Sequence, residues 1–451
     1  MNTMGIDIGT TSLSIILMDG ETGKLKDART VNHASFIAAA APFHRIQDPE
    51  RIMDLLLQVT EEMILKHGQP ACIGLTGQMH GVLYTDASGR AVSPLYTWQD
   101  GCGGQPLKDG RSAADILKER AGASAPGYGL TTHYYLQMTG QIPESAAGMT
   151  TISDYAAMRL CGLTTPVLYT DMAASWGCFD LEKGAFYKEK LAEAGVDTSL
   201  LPAVVKSPEV IGTTPAGVPV MCSLGDNQAS VLATVRDVRD TVLLNVGTGS
   251  QISVITDAYV PCEGSVEIRP FTEGMYLIAG SGLCGGRAYA MLEKFYRELT
   301  GSEKACYDLM RTQAEAFLKD YGPDAAWKVC TTFMGTRDDP EARGSIRGIS
   351  EENFRPGAFT LGLIRGIIEE LAEGYEVCCH LTGRRAGKLV GSGNGIRKNP
   401  LMVKMAEDIF GMKMQIPVFE EEAACGAALC ALAACGRAGS LDEVREKIHY
   451  L

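Results

Sequence analysis

No run of 18 apolar residues occurs in the 451-residue chain, which excludes a hydrophobic helix long enough to cross a bilayer. The N-terminus enters a strand pattern at once, without a basic segment and a small-residue cleavage site, so no export is expected and a cytoplasmic location is. No Lys/Arg block stands out. With 41 basic against 54 acidic residues the net charge is -13, and neither nucleic acid nor an anionic membrane is expected as a partner. No Cys-x-x-C pair exists among the 14 cysteines; Cys378 and Cys379 are adjacent, and Cys425, Cys430 and Cys435 fall five apart. They read as buried thiols rather than metal ligands. Low-complexity tracts are missing too, so the 45% hydrophobic content is available for cores, and the length calls for two domains of roughly 200 residues each.

What is present is an alternation of strand patterns (SIILMD, ACIGLTG, VPVMCSLG, TVLLNVG, QISVIT, YLIAG, GKLVGSG) with helical ones, which argues for an α/β class. One helix is legible end to end. Asp48 can cap it, Pro49 takes its first position, Ile52, Leu55, Leu56, Val59 and Met63 recur at helical spacing, and Gly68 ends it. Another helix is expected from about Phe359 to Thr382, with Glu369, Glu370 and Glu373 on its polar side. The Gly- and Pro-rich region from Gly101 to Pro143 resists assignment.

The opening stretch GIDIGTTSLSII reads as two strands joined by a hairpin corner, Gly-Thr-Thr-Ser, dense in hydroxyl and backbone donors that suit an anion. At an offset of 238 residues the chain repeats the pattern as LNVGTGSQISVI, so that Gly9, Thr10 and Ser12 fall opposite Gly247, Thr248 and Ser250. Two such units half a chain apart suggest a duplicated domain. Asp7 in the first is answered by Asn245 in the second, as if one half alone needed a charge.

Four further stretches can carry chemistry. In VPVMCSLGDNQASVLATV a strand turns into a helix at Asp226, where the helix N-terminus favours a carboxylate; Asp226 is expected to stay ionised and accept a proton, or else simply to cap the helix. GSGNGIRKNPLM follows an apolar strand and precedes a helix, a place for a purine or a tight connection. GQMHG and YTWQDG put His80, Trp98, Gln99 and Asp100 on loops at strand ends, as a sugar site requires, although packing explains them as well. GTRDDPEARGSIRGIS is expected to be a structured polar loop.

The order DIGTTS, GQMHG, TWQD, SDY, ASWGCFDLEKG, GDNQAS, NVGTGS, GTRDDPEARG, GSGNGIRKNP, EEAACGAAL resembles the FGGY family of carbohydrate kinases across nearly the whole chain. GQMHG and TWQDG are similar to its ketose branch, which follows Trp-Gln-Asp-Gly with Arg where this chain has Cys102. The resemblance implies an actin-like ATPase fold of two duplicated ribonuclease-H-like α/β domains around a cleft: 1–238 for the sugar and catalytic base, 239–451 for the nucleotide. It implies ATP and Mg²⁺, with Gly9, Thr10, Thr11, Ser12, Gly247, Thr248 and Gly249 at the phosphates and Asp7 near the metal through water. It makes Asp226 the base and assigns Gln78, Met79, His80, Trp98, Asp100, Asp226 and Asn227 to the sugar. Gly280, Ser281, Gly393, Asn394 and Asn399 fall to the nucleotide. The implied reaction is phosphorylation of a ketose's terminal hydroxyl, sedoheptulose first, D-xylulose or another pentulose second. An actin-like ATPase and a catalytically silent sugar sensor are the readings from other classes. A homodimer is left open.

Overall fold

The computed structural model describes all residues except 40, 263, 283, 336–338 and 340. The chain forms two compact units: Met1–Arg236 with Arg269–Met275 and Glu421–Ile448, and Asp237–Ile268 with Tyr276–Glu420 and His449–Leu451. Among the described residues no helix is long and apolar enough to cross a membrane.

The first unit is built on a sheet whose strands are β1 (Asn2–Ile8), β2 (Ser12–Asp19), β3 (Leu25–Asn32), β4 (Ile73–Gly77), β5 (Val210–Thr213), β6 (Pro219–Met221) and β7 (Leu224–Gly225). The spatial order is β5-β6-β4-β1-β2-β3, with β7 also on β4. β1 runs antiparallel to β2 and parallel to β4, so the expected hairpin forms, and Met4, Ile6 and Ile8 are wholly buried, as the branched apolar run requires. Helix α1 (Pro49–His67) has the expected ends: the Asp48 side chain accepts from Glu50 and Arg51 N–H groups, and the Gly68 N–H closes on the Ile64 carbonyl. The Gly101–Pro143 region holds α2 (Ala113–Arg120) and α3 (Gly129–Met138), which join an apolar cluster around Trp176 and Tyr84. Helix α4 (Asp226–Thr234) follows β7 directly.

The sheet of the second unit has the strands β8 (Thr241–Val246), β9 (Ser250–Thr256), β10 (Val266–Pro270), whose last two residues are counted with the first unit, β11 (Tyr276–Gly282), β12 (Lys388–Ser392) and β13 (Met414–Gln415), in the order β10-β11-β9-β8-β12-β13. β8 is antiparallel to β9 and parallel to β12, repeating the relation of β1 to β2 and β4. The duplication is therefore topological as well as sequential. The two hairpins differ by one step: Ile8 pairs with Leu13, whereas Val246 pairs with Ser250, leaving the second turn a residue shorter. Helices α5 (Gly286–Thr300), α6 (Pro356–Thr382) and α7 (Pro400–Phe410) belong to this unit, as does the helix Tyr307–Tyr321, whose Met310, Ala314 and Phe317 enter its core; α6 begins three residues before the expected Phe359.

The last long helix, α8 (Glu422–Ala434), packs with the first unit. A cut at 238/239 thus does not reproduce the division by packing, because Arg269–Met275 and Glu421–Ile448 return to the first core. The reason lies in small residues. A Cβ on Gly5 of β1 would stand 1.9 Å from the Ala424 carbonyl oxygen, one on Gly74 of β4 would stand 2.0 Å from that of Ala427, and one on Gly426 would meet the Ala229 carbonyl of α4 at 1.7 Å. Glycine on the strands and on the helix lets α8 lie backbone to backbone between sheet and α4. Most cysteines are buried as expected, but Cys330 is exposed in a separate two-stranded sheet, Lys328–Cys330 with Ser345–Arg347, where its strand shows one face to solvent. The expected polar loop at 335–350 lies partly outside the described residues.

Candidate active site

Asp7 is the penultimate residue of β1. Its Oδ1 is buried without a hydrogen-bond partner, and burial, then the Asp226 and Glu421 carboxylates, push its carboxyl up to about 8. Glu421 is brought there by the start of α8 and accepts the Thr30 hydroxyl at 2.8 Å. In the following turn the Gly9 N–H donates to the Ser12 carbonyl at 3.0 Å. The Thr10 carbonyl accepts from Gln47 Nε2 at 2.6 Å, and the Thr10 hydroxyl accepts from Trp98 Nε1 at 2.9 Å. Thr11 is exposed. The hydroxyl-rich turn and the Trp98 loop, far apart in sequence, are therefore one constellation.

Asp226 opens α4, with Gly225 as the N-cap. Its Oδ1 accepts the Asn227 N–H at 2.8 Å. Burial raises its pKa, while the Asn227 N–H and the Arg269 guanidinium pull it back. The helix N-terminus was expected to keep this group ionised; desolvation opposes that and is the larger effect. Two acids stand behind the corner. The Gly225 N–H donates to Asp171 Oδ2 at 3.0 Å and the Met172 N–H to Asp171 Oδ1 at 2.6 Å. Asp154 takes the Thr151 hydroxyl at 2.6 Å and the Ser223 N–H at 3.3 Å. Burial pushes Asp171 up to about 8 and Asp154 up to about 7, in each case outweighing these hydrogen bonds.

The GQMHG loop sits beside this corner. Gln78 is buried and donates from Nε2 to Gln47 Oε1 at 3.0 Å. Met79 approaches Gly225 so closely that a Cβ there would meet its sulfur at 2.7 Å, and Arg269 Nη1 donates to the same sulfur at 3.8 Å. His80 takes φ 71°, a left-handed conformation that a non-glycine residue holds only against strain, and is held by Ser175: its N–H meets the Ser175 hydroxyl at 3.0 Å and its Nδ1 donates to the Ser175 carbonyl at 2.6 Å. The Tyr128 ring stacks on it with centroids 4.6 Å apart. Trp98 is 47% exposed, an open apolar face. Asp100, by contrast, is buried and its carboxylate is engaged within its own surroundings: Oδ2 accepts from Arg45 N–H and meets His44 Nδ1, both at 2.9 Å, and Oδ1 accepts the Cys102 N–H at 3.0 Å. Asn227, next to Asp226, is half-buried. Arg269, Asp171, Glu421, Ser175 and Tyr128 were not singled out from sequence; SDY, ASWG and EEAACGAAL mark the vicinity of some, and nothing marks Arg269.

In the second unit, the turn Gly247, Thr248, Gly249 carries an exposed Thr248, and its Gly247 and Thr248 carbonyls accept the Gly286 and Arg287 N–H groups at the start of α5, each at 2.9 Å. Asn245, the counterpart of Asp7, donates to the Ser392 hydroxyl at 2.8 Å, so the copy without a charge serves as a strand-to-strand link. Gly280 and Ser281 were expected just after a strand; they lie inside β11, paired with Ile252 and Gln251, because the ladder continues to Gly282. Gly393 has φ 82°, and a Cβ on it would stand 2.6 Å from the Val246 carbonyl oxygen, so both backbone and space require glycine. Asn394 begins a short helix, and Asn399 caps α7 by accepting the Met402 N–H at 3.3 Å.

Comparison with known proteins gives one consistent answer. Residues 2–233 match the N-terminal domain of the FGGY family of carbohydrate kinases, and residues 242–435 match its C-terminal domain. A sedoheptulokinase of Mus musculus is 29% identical over 95% of this chain and 97% of its own length, and a xylulose kinase of Lactococcus lactis is 25% identical over 99% and 91%. The solved structure of a ligand-bound xylulose kinase from Lactobacillus acidophilus superposes with a TM-score of 0.84 at 20% identity, covering 100% of this chain and 92% of that one, which establishes the two-domain, ribonuclease-H-like fold. With both halves matched and the duplicated sheets in place, the chain belongs to the FGGY family of carbohydrate kinases, enzymes that take phosphate from ATP, generally with a divalent metal.

Proposed function

We propose that this protein phosphorylates the terminal hydroxyl of a ketose, sedoheptulose to sedoheptulose 7-phosphate in the first place and D-xylulose in the second. The observation that carries the reading is the Asp226 corner: a carboxylate at a helix start, beside Arg269, joined through Met79 to the Gln78–His80 loop. The names of the full-length relatives point the same way.

Asp226 accepts the proton of the attacking hydroxyl as the new O–P bond forms and the bond between the γ-phosphorus and the β-phosphate oxygen breaks; ADP leaves, and the proton passes on to solvent. Phosphoryl transfer asks chiefly for positioning and charge stabilisation, so a carboxylate is base enough. Asn227, His80 and the Trp98 face position the sugar. Gly9, Thr10, Thr11 and Ser12 in the first unit, and Gly247, Thr248 and Gly249 in the second, hold phosphate oxygens through N–H and hydroxyl groups. Gly280, Ser281, Gly393, Asn394 and Asn399 take the rest of the nucleotide. Asp7 fits a divalent cation: a buried, partnerless carboxylate oxygen with two further acids beside it lacks positive charge. A bound Mg²⁺ would supply that charge to the phosphates, with Asp7 as the residue that would hold it.

The test is coupled ADP release with sedoheptulose, D-xylulose, L-ribulose, L-xylulose and glycerol. One large winner in kcat/KM, sedoheptulose ahead of D-xylulose, is expected. Comparable values for all five would refute the ketose assignment, and ADP release that no sugar stimulates would favour an actin-like ATPase.

A further inference from the structure

We propose that His44, Asp100 and Cys102 form a zinc-binding site. One ligand atom from each lies within 4.8 Å of the other two, so a mixed nitrogen, oxygen and sulfur set is already gathered at one point. That set suits Zn²⁺, and the three protein ligands leave a fourth position open for water. It does not suit Mg²⁺, which asks for oxygen alone.

The site is preorganised by separate stretches of chain. His44 precedes the short strand Ile46–Gln47, which pairs with Leu95–Tyr96, and this pairing brings the 43–47 segment against the loop carrying Asp100. The carboxylate is oriented by the Arg45 and Cys102 N–H groups, both of which leave lone pairs on the two oxygens. Phe43 lies beside the His44 ring at 4.6 Å between centroids and limits its rotation. Asp100 and Cys102 are wholly or almost wholly buried, whereas the half-buried His44 borders a cavity of about 510 Å³ lined by Phe36, Ile37, Pro42, Arg45 and Gln99, which gives a metal a way in and a water its place.

Charge and protons balance. His44 Nδ1 now faces Asp100 Oδ2 at 2.9 Å; on binding, its proton moves to Nε2 and the lone pair goes to the metal. The Cys102 thiol loses its proton to solvent. One thiolate and one carboxylate then neutralise Zn²⁺ in a buried site.

The inference does not depend on the kinase reading, and its test uses metal alone. The full chain, stripped with chelator, is titrated with Zn²⁺ against a chromophoric chelator and, separately, with Co²⁺. Expected are a tight zinc site, a Co²⁺–thiolate absorption band, and no displacement by Mg²⁺. Cys102→Ser should abolish the band, and Cys102→Ser and His44→Gln should each weaken zinc binding by at least about 100-fold, more than losing an outer-shell partner does. Zinc-edge X-ray absorption of the unmutated protein should read one sulfur per zinc, which decides the matter even if both variants fail to fold. No cobalt–thiolate band, a zinc affinity unmoved by either substitution, or a ligand set with no sulfur or more than one would overturn the proposal.

Discussion

Asp226 is held between burial, which favours its neutral form, and Arg269, which favours its charge. Asp226→Asn keeps the shape and the accepting carbonyl of the side chain but cannot take a proton. It should fold normally and lose about two to four orders of magnitude in kcat in the ADP-release assay, and an unaltered rate would remove Asp226 from the mechanism. Arg269→Gln removes the cation that lowers the Asp226 pKa, so that pKa rises further and the acidic limb of the kcat/KM profile should move to higher pH, while the alkaline plateau changes least. Asp226 was legible in GDNQAS because a strand, a Gly-Asp corner and a helix follow one another within a few residues. Arg269 was not, because its partner Asp226 opens a helix far from it in sequence and only tertiary folding joins them. Asp100 shows the converse: TWQDG reads as a sugar loop, yet its carboxylate is engaged by Arg45, Cys102 and His44, partners that the motif does not contain.

At the scale of elements, the decisive packing is that of α8, whose backbone lies within touching distance of β1, β4 and α4. Gly426→Val should therefore destabilise the protein by about 3 kcal/mol in a denaturant titration, since the added carbons meet the Ala229 carbonyl and no side chain can rotate away. The strands were legible because their branched apolar runs are buried on both faces, and α1 because both of its ends carry side-chain or glycine signals. The short helices between Gly101 and Pro143 were not: α3 is buried nearly all round, so no periodic stripe survives to announce it, and its place is set by Trp176 and its neighbours. The register of the second hairpin was hidden too. NVGTGS copies the chemistry of DIGTTS but not its length of turn, and sequence similarity carries no information on that single step.

For the molecule as a whole, the buried acids behind the Asp226 corner couple folding to pH. Asp154 and Asp171 rise from the ordinary 3.8 to about 7 and about 8, so the native state keeps protons that the unfolded chain has already released. Their contribution is complete below about pH 4 and is lost as pH rises through 7 and 8. The urea midpoint of the protein should fall between pH 5 and pH 9, and Asp171→Asn, which cannot titrate, should flatten that fall. The duplicated architecture itself was legible from the repeat at an offset of 238 residues, but the return of Glu421–Ile448 to the first unit was not, since nothing in EEAACGAAL says which sheet its small residues will meet. Residues 1–236 expressed alone should accordingly be digested rapidly by protease, and the same segment supplied with a peptide covering 421–448 should be protected. This layout has a consequence for biosynthesis. During translation the first sheet leaves the ribosome early yet waits, with Gly5 and Gly74 uncovered, until all but the last residues of the second unit have been made and the helix that covers them emerges.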